Sequence, residues 1–270
     1  MQINELSLVY FSPTSTTRQV LEHIAQGLGV QDIQRLDLTL PDSEKQDPVQ
    51  LQGDLALLGV PVYGGRVPSL AARRMQQIQA QGMPAVLVVV YGNRAYEDAL
   101  LELKDLAEGW GFLPVAGGAF IAEHSFATQD TPIANGRPDA RDRELAEDFG
   151  TRIRELLSSA ASVRELPQLQ VPGNRPYKEP PKHDPAAPEA DPQVCILCGT
   201  CAESCPSGAI KIDSQVQADP ALCIFCQACV KNCPTGAMTF QAQPLLELAS
   251  KLSRNCQIRQ EPETYLPEAG

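Results

Sequence analysis

Basic residues and long apolar runs are scarce in this sequence, and cysteine is missing from most of it. Lys and Arg number 22 against 33 Asp and Glu, so the net charge is −11. Nucleic-acid phosphates and anionic lipids are held by clustered basic side chains, so we expect neither nucleic acid nor a membrane as a partner. No segment reaches the roughly 18 apolar residues of a membrane span, and no secretory leader is visible after Met1. The sequence therefore predicts a cytoplasmic protein, and a hydrophobic content of 43% suffices for a folded core.

Cysteine and proline divide the chain. Positions 1–194 contain no cysteine, and all nine follow. In a cytosolic protein such a cluster indicates metal or redox chemistry rather than disulfides. Eight prolines fall within 167–192, which excludes a helix or a central strand there and predicts an extended connector. We expect an N-terminal domain over 1–160, a Pro-rich linker over 161–189, a cysteine domain over 190–242, and a C-terminal helix with a loose tail over 243–270.

The N-terminal part alternates apolar strand patterns with helical patterns. Alternation of this kind predicts a parallel sheet covered by helices on both faces. Five strands in about 150 residues suit the flavodoxin-like, doubly wound arrangement, in which ligands bind beyond the carboxyl ends of the strands. The expected strands are 6–11, 33–38, 55–60, 85–90 and 113–121, and the expected helices are 17–28, 69–80, 95–108 and 138–158.

An internal repeat with a period of 28 residues carries eight of the cysteines. Each copy reads C-x2-C-x2-C-x3-C-P, the spacing with which three cysteines hold one 4Fe–4S cluster and the fourth ligates the other cluster. The predicted ligands are Cys195, Cys198, Cys201 and Cys233 for the first cluster, and Cys223, Cys226, Cys229 and Cys205 for the second. Two structural zinc sites are the alternative, but zinc prefers ligand pairs joined by a longer loop, and the third cysteine and the proline would be unexplained. Cys256 fits neither copy, and we expect it to be a buried thiol.

Residues 190–242 resemble a bacterial-type ferredoxin domain, a small α+β fold with two 4Fe–4S clusters. Every ligand position of that family is matched by the eight cysteines. The Ser-Gly-Ala-Ile and Thr-Gly-Ala-Met sequences after the two Cys-Pro pairs are also similar to that family.

Hydroxyl side chains crowd the turn between the first strand and the first helix. The turn contains Ser12, Thr14, Ser15, Thr16 and Thr17, and no Lys or Arg. Amides at a helix N-terminus attract phosphate, and hydroxyls add neutral hydrogen bonds, so we expect a phosphate monoester here. Ordinary helix capping is the alternative, although it needs only one or two such residues. No Walker or G-x-G-x-x-G motif is present.

Two further strand ends carry residues suited to a planar ligand. One follows residue 60 and contains Pro61, Val62, Tyr63, Gly64 and Gly65, and the other follows residue 90 and contains Tyr91, Gly92, Asn93, Arg94 and Tyr96. The first turn resembles the flavodoxin phosphate loop, with Ser15 where many members have glycine. The third loop is similar to the flavodoxin loop in which a tyrosine stacks on the flavin, and Tyr96 is the matching position. The resemblance implies that FMN is the bound cofactor. His124 follows the fifth strand, and we expect it to be an ordinary surface histidine.

The whole chain resembles the flavodoxin–ferredoxin fusion proteins of anaerobes. That resemblance implies an electron-transfer protein that links the one- and two-electron chemistry of FMN to the one-electron chemistry of the clusters. An NAD(P)H-dependent flavin or quinone reductase is the main alternative, and an iron or redox sensor is a third. The charge is −8 over 1–160 and −3 over 161–270, so we expect a redox partner protein with a basic docking patch.

Overall fold

A computed structural model describes residues 1–45 and 49–267, without the side chain of Lys45. The N-terminal part contains five parallel strands, named here β1 to β5. They span Glu5–Tyr10 (β1), Asp32–Asp37 (β2), Leu55–Pro61 (β3), Pro84–Tyr91 (β4) and Leu113–Ile121 (β5). Their order in the sheet is β2-β1-β3-β4-β5. This is the flavodoxin-like order, with a switch point between β1 and β3, and it confirms the predicted fold class.

Helices cover both faces of this sheet. They are Thr16–Leu28 (α1), Ser69–Met75 (α2), Ala99–Gly109 (α3) and Ala140–Ser159 (α4). Apolar residues of α1 and α4 pack on one face, and those of α2 and α3 pack on the other. Because both faces are covered, β3 and β4 are almost continuously apolar rather than alternating.

Helix α2 is shorter than the sequence pattern predicts. It ends at Met75, whereas we expected helix as far as residue 80. The chain instead forms a two-residue strand, Ile78–Gln79, which pairs with Val49–Gln50. A short apolar stretch is compatible with either structure, and here the pairing with a distant segment decides.

The C-terminal tail is ordered as far as residue 267, which corrects our expectation of a loose tail, and residues 268–270 lie outside the described residues. Residues Glu263–Tyr265 form a sixth strand, β6, which pairs antiparallel with β5 and extends the sheet to the order β6-β5-β4-β3-β1-β2. The chain therefore returns to the N-terminal sheet after completing the cysteine-rich part. β6 covers an edge that would otherwise present unpaired backbone groups.

The cysteine-rich part is a small α+β unit with an internal repeat. Each motif contains a one-turn helix, Thr200–Glu203 (α5) or Ala228–Lys231 (α6). Two-stranded ribbons flank them, formed by Ile210–Ile212 with Val216–Ala218 and by Glu189–Ala190 with Met238–Thr239. A longer amphipathic helix, Gln243–Asn255 (α7), follows, as predicted.

The Pro-rich segment is extended and bound to the N-terminal half. Leu169 is buried in the core beside α3. The carboxylate of Asp98, which precedes α3, accepts hydrogen bonds from the amides of Asn174 (2.8 Å) and Lys178 (2.7 Å). These amides, Lys178 foremost, lower the pKa of Asp98. Residues 172–178 thus anchor the connector to the start of α3.

Within the described residues, no helix is both long enough and apolar enough to cross a membrane.

Candidate functional site

A cavity of about 1270 Å³ lies beyond the carboxyl ends of β1, β3, β4 and β5. From the three loops that the sequence singled out, it is lined by Thr14, Thr16, Pro61, Val62, Tyr63, Gly64, Tyr91, Gly92, Asn93 and Arg94. The other five predicted residues, Ser12, Ser15, Thr17, Gly65 and Tyr96, do not line it. The site therefore lies where the fold predicts it, next to the switch point of the sheet.

Two hydroxyls of the loop after β1 lie at the cavity, and the other hydroxyl-bearing residues of this loop have structural roles. The hydroxyls of Thr14 and Thr16 lie 3.4 Å apart at the cavity wall. Ser12 is buried, and its Oγ accepts the amide of Arg18 (3.1 Å), so the capping interpretation holds for this residue. Thr17 is 1% exposed and packs inside. Ser15 has φ 63°, a left-handed conformation that glycine adopts most readily, which accounts for the glycine at this position in many flavodoxins.

The loop after β3 turns tightly between Tyr63 and Arg66, whose backbones exchange two hydrogen bonds (3.0 and 3.2 Å). Gly64 and Gly65 have φ values of 61° and 86°. The φ of Gly65 is one that L side chains rarely adopt, and an added Cβ would also lie 2.9 Å from the Cβ of Glu97, so glycine is strongly favoured there. Gly65 thus serves the loop's geometry rather than the cavity.

The loop after β4 is held by the C-terminal segment. The Asn93 side chain is buried, and its Nδ2 donates to the carbonyls of Cys256 (2.8 Å) and Ile258 (2.9 Å). Its Oδ1 accepts the amide of Gln260 at 3.0 Å. Cys256 is buried, as expected, and its backbone carbonyl accepts the hydrogen bond from Asn93.

Tyr96 is not placed to stack on a ligand in the cavity, which corrects our expectation. It is 8% exposed, and its hydroxyl contacts Glu263 (2.9 Å) and Tyr265 (2.7 Å) of β6. Tyr63 and Phe126 are among the aromatic residues that line the cavity instead.

The loop after β5 contributes His124, which is a cavity residue and not an ordinary surface histidine. Burial, helped by Arg94 and Lys231, lowers the pKa of His124 to about 4, so the ring is neutral at pH 7. Its Nδ1 accepts the amide of Phe126 (3.0 Å), which leaves the proton on Nε2. His124 therefore offers one neutral donor.

Further parts of the cavity wall come from α2 and α3, from the connector at 178–183, from the second cysteine motif and from α7. Cys223, Ile224 and Phe225 line it, and Ile224 also packs on the core of the N-terminal half. Burial, and to a lesser degree the proximity of Cys226 and Cys223, raises the pKa of Tyr63. The large cavity thus directly adjoins the second motif.

Two smaller cavities are each lined by four cysteines. One is lined by Cys205, Cys223, Cys226 and Cys229, and the other by Cys195, Cys198, Cys201 and Cys233. In both, three cysteines come from one motif and the fourth from the other, so the structure brings together the crossed sets that the spacing predicts.

The chemistry of these two sets suits iron–sulfur clusters. Burial raises the pKa of Cys226, and it raises that of Cys229 to about 12, so a thiolate there needs a bound cation. No three His, Cys, Asp or Glu side chains in the described part of the chain surround a single metal-ion position. A four-iron cube instead takes its cysteines at separate corners.

An ion pair also joins the two halves beside the cavity. The Nζ of Lys231, in α6, donates to Glu123 (2.5 Å) and to the carbonyl of Ala127 (2.7 Å). Burial, the largest single effect, opposes ionisation of Glu123, but the hydrogen bonds from Lys231 and from the Gly136 amide, together with the charge of Lys231, lower the pKa of Glu123. The sequence contains no signal that pairs these residues.

Comparisons with known proteins agree with this division. Residues 194–243 match the family profile of the 4Fe–4S dicluster domain. A comparison with curated protein sequences gives no match. Flavodoxin 2 from Bacillus cereus is similar to this chain with 16% identity and a TM-score of 0.43, over 56% of this chain and 99% of that chain. A flavodoxin from the domain Archaea has 13% identity and a TM-score of 0.37, over 57% of this chain and 99% of that chain. FMN-bound flavodoxin from Fusobacterium nucleatum has 16% identity and a TM-score of 0.38, over 56% of this chain and 98% of that chain. Because these TM-scores are low, the fold assignment rests on the strand order of the sheet and not on the similarity to these structures.

The strand order and the profile match together define the class. The chain joins a flavodoxin-like domain to a ferredoxin-type domain whose residues 194–243 match the 4Fe–4S dicluster family. This is consistent with the flavodoxin–ferredoxin fusion proteins that the sequence resembles.

Proposed function

We propose that this protein binds FMN in the large cavity and two 4Fe–4S clusters in the two cysteine sets, and that it relays electrons between them and a partner protein. Cys223 carries the proposal, because it lines both the large cavity and the second-motif set. FMN exchanges one or two electrons and each cluster exchanges one, which is the chemistry these groups supply.

In this proposal each part of the chain has a separate task. Residues 1–160 supply the flavin loops, in which Thr14 and Thr16 donate to the phosphate and the loops at Tyr63 and Asn93 flank the ring. His124 offers its neutral Nε2–H without adding charge. Residues 161–189 form the connector, residues 190–242 hold the clusters, and α7 with the segment up to Gln260 closes the cavity.

The arrangement also orders the two cysteine sets relative to the flavin. The second-motif set adjoins the cavity, whereas in the first-motif set Cys198 is exposed, as is its neighbour Ile196 at 65%. We infer that electrons enter or leave at the first-motif set. Residues 189–210 carry three acidic and no basic side chains, which favours a partner with a basic docking patch.

Serine variants test the crossed ligand sets. Cys205→Ser should give the same EPR change as Cys226→Ser, because both sulfurs belong to the second-motif set. Cys233→Ser should instead match Cys198→Ser. Anaerobically prepared protein should contain about eight irons and eight sulfides per chain. Cys205→Ser matching Cys198→Ser would contradict the crossed sets, and two zinc ions without sulfide would exclude the clusters.

The NAD(P)H-dependent reductase is retained as a second candidate because of the size of the cavity. Its volume of about 1270 Å³ exceeds the roughly 300–1,000 Å³ of common ligand pockets. Sustained oxidation of NADH or NADPH by the purified protein would favour the reductase over the carrier.

A further inference from the structure

Arg74 connects the two halves of the molecule through a buried guanidinium. It lies in α2, on the flavin side, and is 2% exposed. Its Nη1 donates to the carbonyls of Leu38 (3.2 Å) and Thr39 (2.5 Å). Its Nη2 crosses to the cysteine-rich half and donates to the carbonyl of Pro206 at 2.6 Å.

Both ends of this contact lead to a proposed cofactor site. The Thr39 hydroxyl accepts the amide of Ser12 at 2.8 Å, and Ser12 begins the phosphate loop. Pro206 directly follows Cys205, and both residues line the second-motif cavity. One residue, Thr39, therefore separates Arg74 from the phosphate loop, and one residue, Pro206, separates it from a cluster ligand.

The charge of Arg74 is only partly balanced. Its counter-ion is Glu44, whose carboxylate lies 2.8 Å from Nε and whose side chain is 37% exposed. Arg73 also contacts Glu44 (3.0 Å), but its side chain is 65% exposed. Solvent screens the charge of Arg73 most and that of Glu44 only in part, whereas the buried guanidinium of Arg74 acts through protein of low dielectric constant. The second-motif set therefore faces a net positive charge.

We propose that Arg74 is a positioning residue that holds the Cys205–Pro206 turn against the flavin half and raises the reduction potential of the second-motif cluster above that of the first. The inference rests on the proposed function. Reduction adds one electron to a cluster and breaks no bond, so a nearby fixed cation favours the reduced state. The cluster adjoining the flavin would thus accept an electron more readily than the exposed cluster.

A redox titration with dithionite, followed by EPR, tests the proposal on the full-length protein loaded with FMN and iron. In Arg74→Gln the midpoint potential of the second-motif cluster should fall by about 59 mV, a tenfold change for one electron. The first-motif cluster should keep its potential. Arg74→Lys should restore most of the shift, and Arg73→Gln, the matched control, should change neither potential.

Glu44→Gln tests the charge without touching the guanidinium. It removes the counter-ion, so the same potential should rise, even if Arg74→Gln fails to fold. An unchanged potential in Arg74→Gln or in Glu44→Gln would overturn the proposal, and so would an equal shift of both clusters. An upward shift in Arg74→Gln would indicate a cluster merely opened to water and would also overturn it. If the wild type gives no cluster signals at all, the proposed function itself fails.

Discussion

At the scale of single residues, His124 shows how burial determines charge in the cavity. Its ring packs against the backbone of Gly92, where an added Cβ would lie 2.2 Å from the ring. Loss of solvation, with Arg94 and Lys231 nearby, disfavours the charged ring. A neutral ring next to the flavin leaves the binding of an anionic phosphate to hydroxyls and amides.

The lowered pKa of His124 predicts a pH-dependent stability. The unfolded chain takes up the proton near pH 6.5 and the folded chain only near pH 4, so acid favours unfolding between these values. Stability should fall by about 1–3 kcal/mol as the pH drops through this window, since one pKa unit corresponds to about 1.36 kcal/mol. Thermal unfolding of the loaded protein from pH 4 to 7 measures this loss. His124→Gln should lose this part of the pH dependence; an identical pH profile would show that His124 is not its source.

The residue-scale predictions from sequence succeeded where a motif is local. The cysteine spacing gives the two ligand sets because three members of each lie within seven residues of chain. Tyr96 was misplaced because its partners, Glu263 and Tyr265, are 167 and 169 residues further along. The sequence also gave no indication of the role of Arg74, because its contact with Pro206 joins residues that are 132 positions apart.

At the scale of secondary-structure elements, the C-terminal segment is the least predictable part. Four of the five parallel strands were readable because each is a buried apolar run, whereas β2, with the sequence DIQRLD, is largely exposed and was indicated only by Ile33 and Leu36. β6 has only three residues, Glu263–Tyr265, and shows no apolar periodicity. It forms because β5 offers a free edge and because Tyr265 reaches Tyr96.

The contacts made by residues 256–265 predict that FMN binding depends on this C-terminal segment. A variant that stops after Asn255 loses the carbonyl partners of Asn93 and the contacts of Tyr96 with β6. Two lost hydrogen bonds of about 1 kcal/mol each should weaken FMN binding about tenfold or more. Quenching of FMN fluorescence measures the affinity, and a chain ending at residue 267 is the control. Equal affinity in the two chains would contradict a role for residues 256–265.

The Pro-rich connector, residues 161–189, is a second segment whose position the sequence did not predict. Its prolines predicted an extended segment but not where it lies. The Asp98 carboxylate and the Arg66 guanidinium, which donates to the carbonyl of Lys178 (2.7 Å), bind it to the N-terminal half. The two halves are thus tied by the connector as well as by Arg74 and Lys231, which favours a fixed contact over repeated docking and release.

At the scale of the whole molecule, the proposed flavin site and the second-motif cysteine set are direct neighbours. The large cavity adjoins the second-motif set through Cys223, and the first-motif set lies toward solvent with Cys198 exposed. The fold packs the second motif against the flavin loops, so electron exchange within one chain needs no movement of the two halves. On the proposed function, the net charge of −11 attracts a basic partner over long range, and we expect the association rate to fall as salt rises.

Stopped-flow mixing with less than one equivalent of reduced methyl viologen tests this relay most directly. Cluster absorbance should change first, and flavin absorbance should then decrease at a rate that does not vary with protein concentration, because the exchange is intramolecular. In Cys226→Ser, which removes a ligand of the second-motif set, the second phase should slow to the rate of direct reduction by the viologen. A flavin phase proportional to protein concentration, or one unchanged in Cys226→Ser, would contradict the relay.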